Sequence, residues 1–160
     1  MMFRESRKSL PEWFISPKLE MKRSSIHGKG IFATERIEAH ELIESAPVIL
    51  IHKDVVMTIG DIFGRITFFD YPFKWIDGEF AFALGWGGVY NHSTYSPNAF
   101  WKNKYDVPAI EFYSRCVIEP GEEVTTRYLV DQMTADNLWF ISDEEEEWIS
   151  QLEESYNEER

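Results

Sequence analysis

The stretch GGVYNHSTYSPNAFW, Gly87 to Trp101, sets an Asn-His-Ser triplet between two glycines and a Pro-Asn, inside an aromatic neighbourhood. A surface turn accounts for the Gly, Asn, Ser and Pro, which suit tight backbone geometry. It does not account for Tyr90, Tyr95, Phe100 and Trp101 crowded around them. That combination points to something flat, polar or charged being held there. Taken alone, the triplet stays open. His92 reads equally as a structural histidine, and Ser93 lacks the Gly-x-Ser-x-Gly elbow of a hydrolase nucleophile.

Working outward, the 160 residues are 44% hydrophobic and 16% aromatic, enough for one domain with a core of its own. The single cysteine, Cys116, excludes an intramolecular disulfide and a cysteine-rich zinc cluster. His27, His40, His52 and His92 show no metal-ligand spacing, so no metal is expected. The opening MMFRESRKSLPEW has no apolar core of signal-peptide length, and the longest aliphatic run, APVILI, is too short to span a bilayer. The expectation is an intracellular protein, cytoplasmic or nuclear, with no membrane partner.

The net charge of −12 is unevenly spread. Residues 1–30 carry seven basic and three acidic side chains, whereas residues 131–160 carry one and eleven. A nucleic-acid binder shows a basic face, so no direct nucleic-acid contact is expected. The acidic tail, densest at Asp143–Trp148, reads either as a solvated helix face or as an attractor of basic polypeptides.

Coarse patterning predicts many short strands. Pro11 and Pro17 break residues 1–17 into an irregular arm. LEMKRS reads as a strand, IHGKG as a turn and IFATE as a strand. ELIES and PVILI read as two strands interrupted by Pro47 at an edge or bend. KDVVMTIGDIF is ambiguous between a short helix and strand. YPFKW-ID-GEFAFAL is a hairpin around Asp77-Gly78. AIEFYSRCVI and VTTRY are further strands around the turn EPGEE, and apolar spacing from Leu138 to Leu152 predicts a helical tail over 131–160.

Individually, HGKG is a turn that needs no ligand, and Tyr128 closes a strand end. Their order decides the matter. IHGKGIF, then GGVYNHSTYSPN, then IEPGEEVTTRY resemble the three motifs of the SET domain of protein-lysine methyltransferases, over roughly Lys18 to Val130. The resemblance implies a mainly β (β+α) fold: a SET domain over 18–130, built of several small curved sheets with a knot-like crossing, and a short helical tail. It implies an S-adenosylmethionine-dependent enzyme that methylates a lysine of a basic protein, a histone among the options. By the same resemblance, His27, Gly28, Lys29 and Gly30 cradle the cofactor together with Asn91 and His92. Tyr128 is then the catalytic tyrosine beside the methyl group.

The residue types suit that chemistry. The acceptor amine must be uncharged, while free lysine titrates at about 10.4, and a water-poor aromatic channel lowers that value by desolvation. Tyr90, Trp101, Phe112 and Tyr113 are the expected channel residues, with core packing as the alternative for each. The chain departs from the family pattern in four ways. Tyr95 is an extra residue before Pro-Asn, Ser45 stands where many members carry a second active-site tyrosine, Leu129-Val130 follows Tyr128, and cysteine clusters are absent. The lid is therefore expected from the tail, with Trp139 and Phe140 against the cofactor. The rival expectation is a non-catalytic module that binds cofactor or peptide. Monomer and homodimer both remain open.

Overall fold

One long strand organises the larger sheet. The computed structural model describes residues 13–55, 72–93 and 95–128. The chain divides into two units, Met1–Thr126 and Arg127–Arg160. Within the first, β4 (Leu42–His52) pairs along one edge with β9 (Ala109–Ser114), and β8 (Ala99–Lys104) follows β9. The other edge of β4 takes β1 (Phe14–Ile15) at Glu44 and Ser45, then β6 (Glu79–Ala83) from Val48 to His52; β5 (Phe73–Lys74) pairs with β6. The second sheet runs β2 (Leu19–Arg23), β3 (Lys29–Ala33), β10 (Glu123–Thr126), β7 (Asn91–His92). The mainly β architecture matches the sequence expectation.

Pro47 does not interrupt β4, in contrast to the two strands read from sequence. Its carbonyl accepts from Leu84 N at 2.8 Å, and the β4–β6 ladder begins one residue later, at Val48 opposite Ala83. The missing Pro47 N–H therefore faces the place where β6 has already ended, so no ladder bond is lost. Three strands escaped the sequence reading: β1 in the arm, β7 at Asn91-His92 and β8 after Pro97-Asn98. AIEFYSRCVI is shorter than expected: β9 stops at Ser114, and Ile118 forms an isolated bridge to Ile37. Lys53–Val55 turns helically, and the rest of the ambiguous segment lies outside the described residues, as does the predicted helix of the tail. The hairpin is where its turn places it: Asp77 and Gly78 have φ of 56° and 75°, the pair of positive values a tight two-residue loop demands.

The core lies on the inward faces of β4 and β9. Ile43, Ala46, Ile110 and Phe112 are fully buried, and the Phe112 ring meets Tyr90 at 4.8 Å and Phe73 at 5.9 Å. Burying a side chain such as Phe112 contributes roughly 1.5–3 kcal/mol. Within this apolar surround sits one acid, Glu44, with no exposed surface. The segment after β6 wraps over it, and Trp86 N donates to Glu44 Oε1 at 2.8 Å. Gly85 makes the wrap possible: its φ is 120°, and a Cβ there would stand 2.3 Å from Glu44 Oε1.

Burial pushes the Glu44 carboxyl up to about 7, against opposing hydrogen bonds from Trp86, Tyr90 and Gly87. Because the folded value lies above the ordinary 4.5, the native state holds this proton more tightly than the unfolded chain. The stabilisation is therefore complete below pH 4.5 and is lost as pH rises through about 7. Glu44→Gln, which cannot ionise, should be more stable than the wild type at about pH 8, by up to about 3 kcal/mol. Denaturant midpoints of the two proteins across this range should converge below pH 4.5; a gap independent of pH would contradict the assignment.

Candidate functional site

The smaller sheet gathers three stretches that are far apart in sequence. The β2–β3 hairpin carries the turn with His27, Gly28, Lys29 and Gly30. Next to β3 lies β10, antiparallel, with Glu123 opposite Phe32 and Val124 opposite Ile31. On the far side of β10 lies β7, parallel, with Asn91 opposite Thr125 and His92 opposite Thr126; Ser93 N extends the ladder by donating to Thr126 O at 3.0 Å. A parallel pair needs a long crossover connection, and here it spans residues 93–122.

Asn91 is the side chain that ties the three stretches together. It is 6% exposed, and its Nδ2 lies 3.1 Å from His27 O, 3.2 Å from Lys29 O and 2.6 Å from Glu123 Oε1. All three neighbours are acceptors, so the amide nitrogen must face them and the carboxamide oxygen points away. Two protons then serve three acceptors, and the cluster has electron pairs to spare for a small cationic donor. Gly30 is required by this crowding, since a Cβ there would come within 2.0 Å of Glu123 Oε1 and 3.0 Å of Asn91 Nδ2.

Two more side chains hold the arrangement, and the sequence reading named neither as a site residue. Ser24 Oγ donates to Glu123 Oε2 at 2.7 Å. Asn98 clips β10 twice, donating to Glu123 O and accepting from Thr125 N, each at 2.8 Å. The Pro-Asn of the opening stretch thus serves the backbone of β10. The sequence signals were present, Glu123 in the Gly-Glu-Glu turn and Asn98 beside the triplet, but their partners lie 99 and 27 residues away.

His92 is 8% exposed, with its backbone in the ladder to β10, whereas the side chains of His27 and Lys29 are exposed. The four expected channel aromatics do not share one surface. Trp101 lies opposite Phe112 in the β8–β9 ladder and, with Tyr90, belongs to the core face; Tyr90 and Phe112 have no exposed surface. Tyr113, the next residue along β9, points to the other face, as strand alternation requires. There it stacks on Phe100 at 5.6 Å, receives the Lys102 ammonium over its ring and donates to Glu111 at 2.9 Å. Partial burial, with the Glu111 hydrogen bond, raises the Tyr113 hydroxyl above its ordinary value. The common channel is corrected accordingly: Tyr113 is separated from the other three by the sheet itself.

Tyr128 is half-buried and belongs to the second unit, two residues beyond Thr126. Trp139 and Phe140 lie outside the described residues. Among the described residues no group of three or more His, Cys, Asp or Glu side chains is placed to hold a metal ion, and no helix is long and apolar enough to cross a membrane.

Comparison with known proteins identifies the family. The family model described as SET domain matches residues 28–129, which contain all of Gly28, Asn91, Glu123 and Tyr128. A curated relative, "Histone-lysine N-methyltransferase, H3 lysine-37 specific" of Schizosaccharomyces pombe, is 32% identical over 126 residues, covering 79% of each chain. The crystal structure of a candidate histone methyltransferase from Plasmodium falciparum superposes with a TM-score of 0.59 at 26% identity, over 72% of this chain and 96% of that one. The chain belongs to the SET domain family, and is a protein-lysine methyltransferase whose methyl donor is S-adenosylmethionine.

Proposed function

We propose that this methyltransferase acts on a histone, and that its cofactor sits against the Ser24–Gly30 loop and the Asn91-His92 strand. The observation that carries the reading is the Asn91 carboxamide, bonded at once to the carbonyls of the Gly-x-Gly turn and to the Gly-Glu-Glu segment before Tyr128. The spare acceptor capacity of that cluster suits the ammonium at the amino-acid end of S-adenosylmethionine. When bound, the cofactor supplies a methyl group made reactive by its positive sulfonium. A histone substrate is supported by the printed specificity of the fission-yeast relative and by a net charge of −12, which favours encounter with a basic protein. Such a substrate places the protein in the nucleus.

Within this reading the chain's own residues bind, orient and exclude water. The backbones of His27 to Gly30 and of Asn91-His92 hold the cofactor. Tyr90, Phe112 and Trp101 form the packed apolar backing of that strand rather than an open channel, and fix where Asn91 stands. Tyr128 positions the lysine amine through its hydroxyl. Orientation of this kind supplies at most roughly 7–11 kcal/mol of the barrier. Ser45, 8% exposed between β1 and β9, offers a hydroxyl in place of a second tyrosine. The eleven acidic side chains of residues 131–160 add to the negative charge that attracts a basic substrate.

Three outcomes are expected. Asn91→Ala should abolish the thermal stabilisation that S-adenosylhomocysteine gives the wild type, because His27 O, Lys29 O and Glu123 lose their shared donor; equal stabilisation of both proteins would remove Asn91 from the pocket. With labelled cofactor and histone H3, Tyr128→Phe should lower transfer by at least about a hundredfold while leaving cofactor binding in place. Cofactor binding by the wild type without transfer to any basic protein would instead establish a binding module. Truncation after Ser142 should raise KM for a basic peptide, with the difference shrinking at high salt as exposed charges are screened; unchanged kinetics would make the acidic end a solubility feature.

A further inference from the structure

Ser24 occupies a position that the reading of Asn91 does not by itself explain. It opens the β2–β3 loop, where its backbone N–H donates to Gly28 O at 3.1 Å and its Oγ accepts from Ile26 N at 2.9 Å. The same hydroxyl spends its only proton on Glu123 Oε2, at 2.7 Å. Glu123 Oε1 accepts from Asn91 at 2.6 Å, so one carboxylate bridges the loop and the Asn-His strand with both oxygens. The bridge passes directly over Gly30, where no side chain fits. A structural tie between strands needs no charge, and neutral amides or hydroxyls would serve. A carboxylate beside two backbone carbonyls instead concentrates negative potential around a donor that is already oversubscribed.

We propose that Ser24 and Glu123 are positioning residues for the cofactor's amino-acid end: Ser24 locks the Glu123 carboxylate, and Glu123 holds the Asn91 carboxamide and supplies the charge that selects a ligand bearing an ammonium group. The inference rests on the reading that Asn91 faces the cofactor. Ser24 thereby couples the shape of the Gly-x-Gly loop to β10, so the loop carbonyls and the carboxylate converge on one point. Glu123→Gln keeps the shape of the side chain, removes the charge and turns one of its two acceptor oxygens into a donor, which the Ser24 hydroxyl can accept. Ser24→Ala removes the lock together with the acceptor of Ile26 N, and Ser24→Thr restores the hydroxyl for both.

Two ligands separate a selective role from a structural one. S-adenosylhomocysteine carries the ammonium, whereas 5′-methylthioadenosine lacks the whole amino-acid end. Glu123→Gln should weaken S-adenosylhomocysteine binding roughly tenfold, and Ser24→Ala about threefold with recovery in Ser24→Thr, as loss of one charge-assisted contact and of its support predict. Inhibition by 5′-methylthioadenosine should stay within about twofold of wild type in all three. In turnover, Glu123→Gln should raise KM for the cofactor with kcat held within about twofold, the signature of lost binding rather than lost chemistry. Equal losses for both ligands, a fall in kcat without a rise in KM, or wild-type binding by Glu123→Gln would each overturn the proposal. Asn91→Ala tells the two readings apart. If it also binds S-adenosylhomocysteine normally, the cofactor reading itself fails; if it loses binding while Glu123→Gln does not, only the role of Ser24 and Glu123 fails.

Discussion

Two amide protons of Asn91 are shared among a loop carbonyl at His27, another at Lys29 and the carboxylate of Glu123, and the site exists only while that sharing holds. The constraint reaches outward. It demands that residue 30 have no side chain, that β10 lie between β3 and β7, and that β7 and β10 keep their parallel register. A slip of one residue in that register would turn the Asn91 side chain to the opposite face of the sheet. Asn98 guards against the slip by gripping Glu123 O and Thr125 N from the side.

The larger sheet sets where this strand begins. Glu44, on β4, draws in the backbone at Trp86, and the segment then runs through Gly87 and Tyr90 directly into Asn91. Burial, together with the neighbouring Glu44, pushes the Tyr90 hydroxyl far above its ordinary range, so it stays protonated. Phe112 packs under Tyr90, and Gly87 lies so close to the Phe112 ring that a Cβ would approach to 2.9 Å. A polar contact at one end and a tight apolar contact at the other thus fix the approach to the Asn-His strand.

The sequence carried the local chemistry well and the long-range pairing poorly, for physical reasons visible at particular residues. Asp77-Gly78 announces its hairpin because only such residues adopt two positive φ values in succession without strain. The three motifs announce the family because their order is specific. Pro47 was misleading because whether a proline breaks a strand depends on where the neighbouring ladder ends, which residue 47 does not reveal. Phe112 and Tyr113 looked like partners as neighbouring aromatics, yet alternation along β9 sends them to opposite faces. The residue most informative about the site, Glu123, reads from sequence as one acid in a turn. Its meaning comes from Ser24 and Asn91, one 99 and the other 32 residues away.

The placement of β10 has a consequence for how the protein comes into being. Among the described residues it is the last strand in chain order, yet it is an inner strand of its sheet, flanked by β3 and β7. During synthesis the Gly-x-Gly hairpin and the Asn-His segment emerge first, and neither can complete its backbone ladder until residues 123–126 follow. Because the loop that must close is long, this step carries the entropic cost of non-local pairing and is expected to be the slow one in folding. A nascent chain stopped anywhere before Glu123 holds two motifs of the candidate site without the strand that lies between them, so the Asn91 cluster is completed only after residues 123–126 have been made.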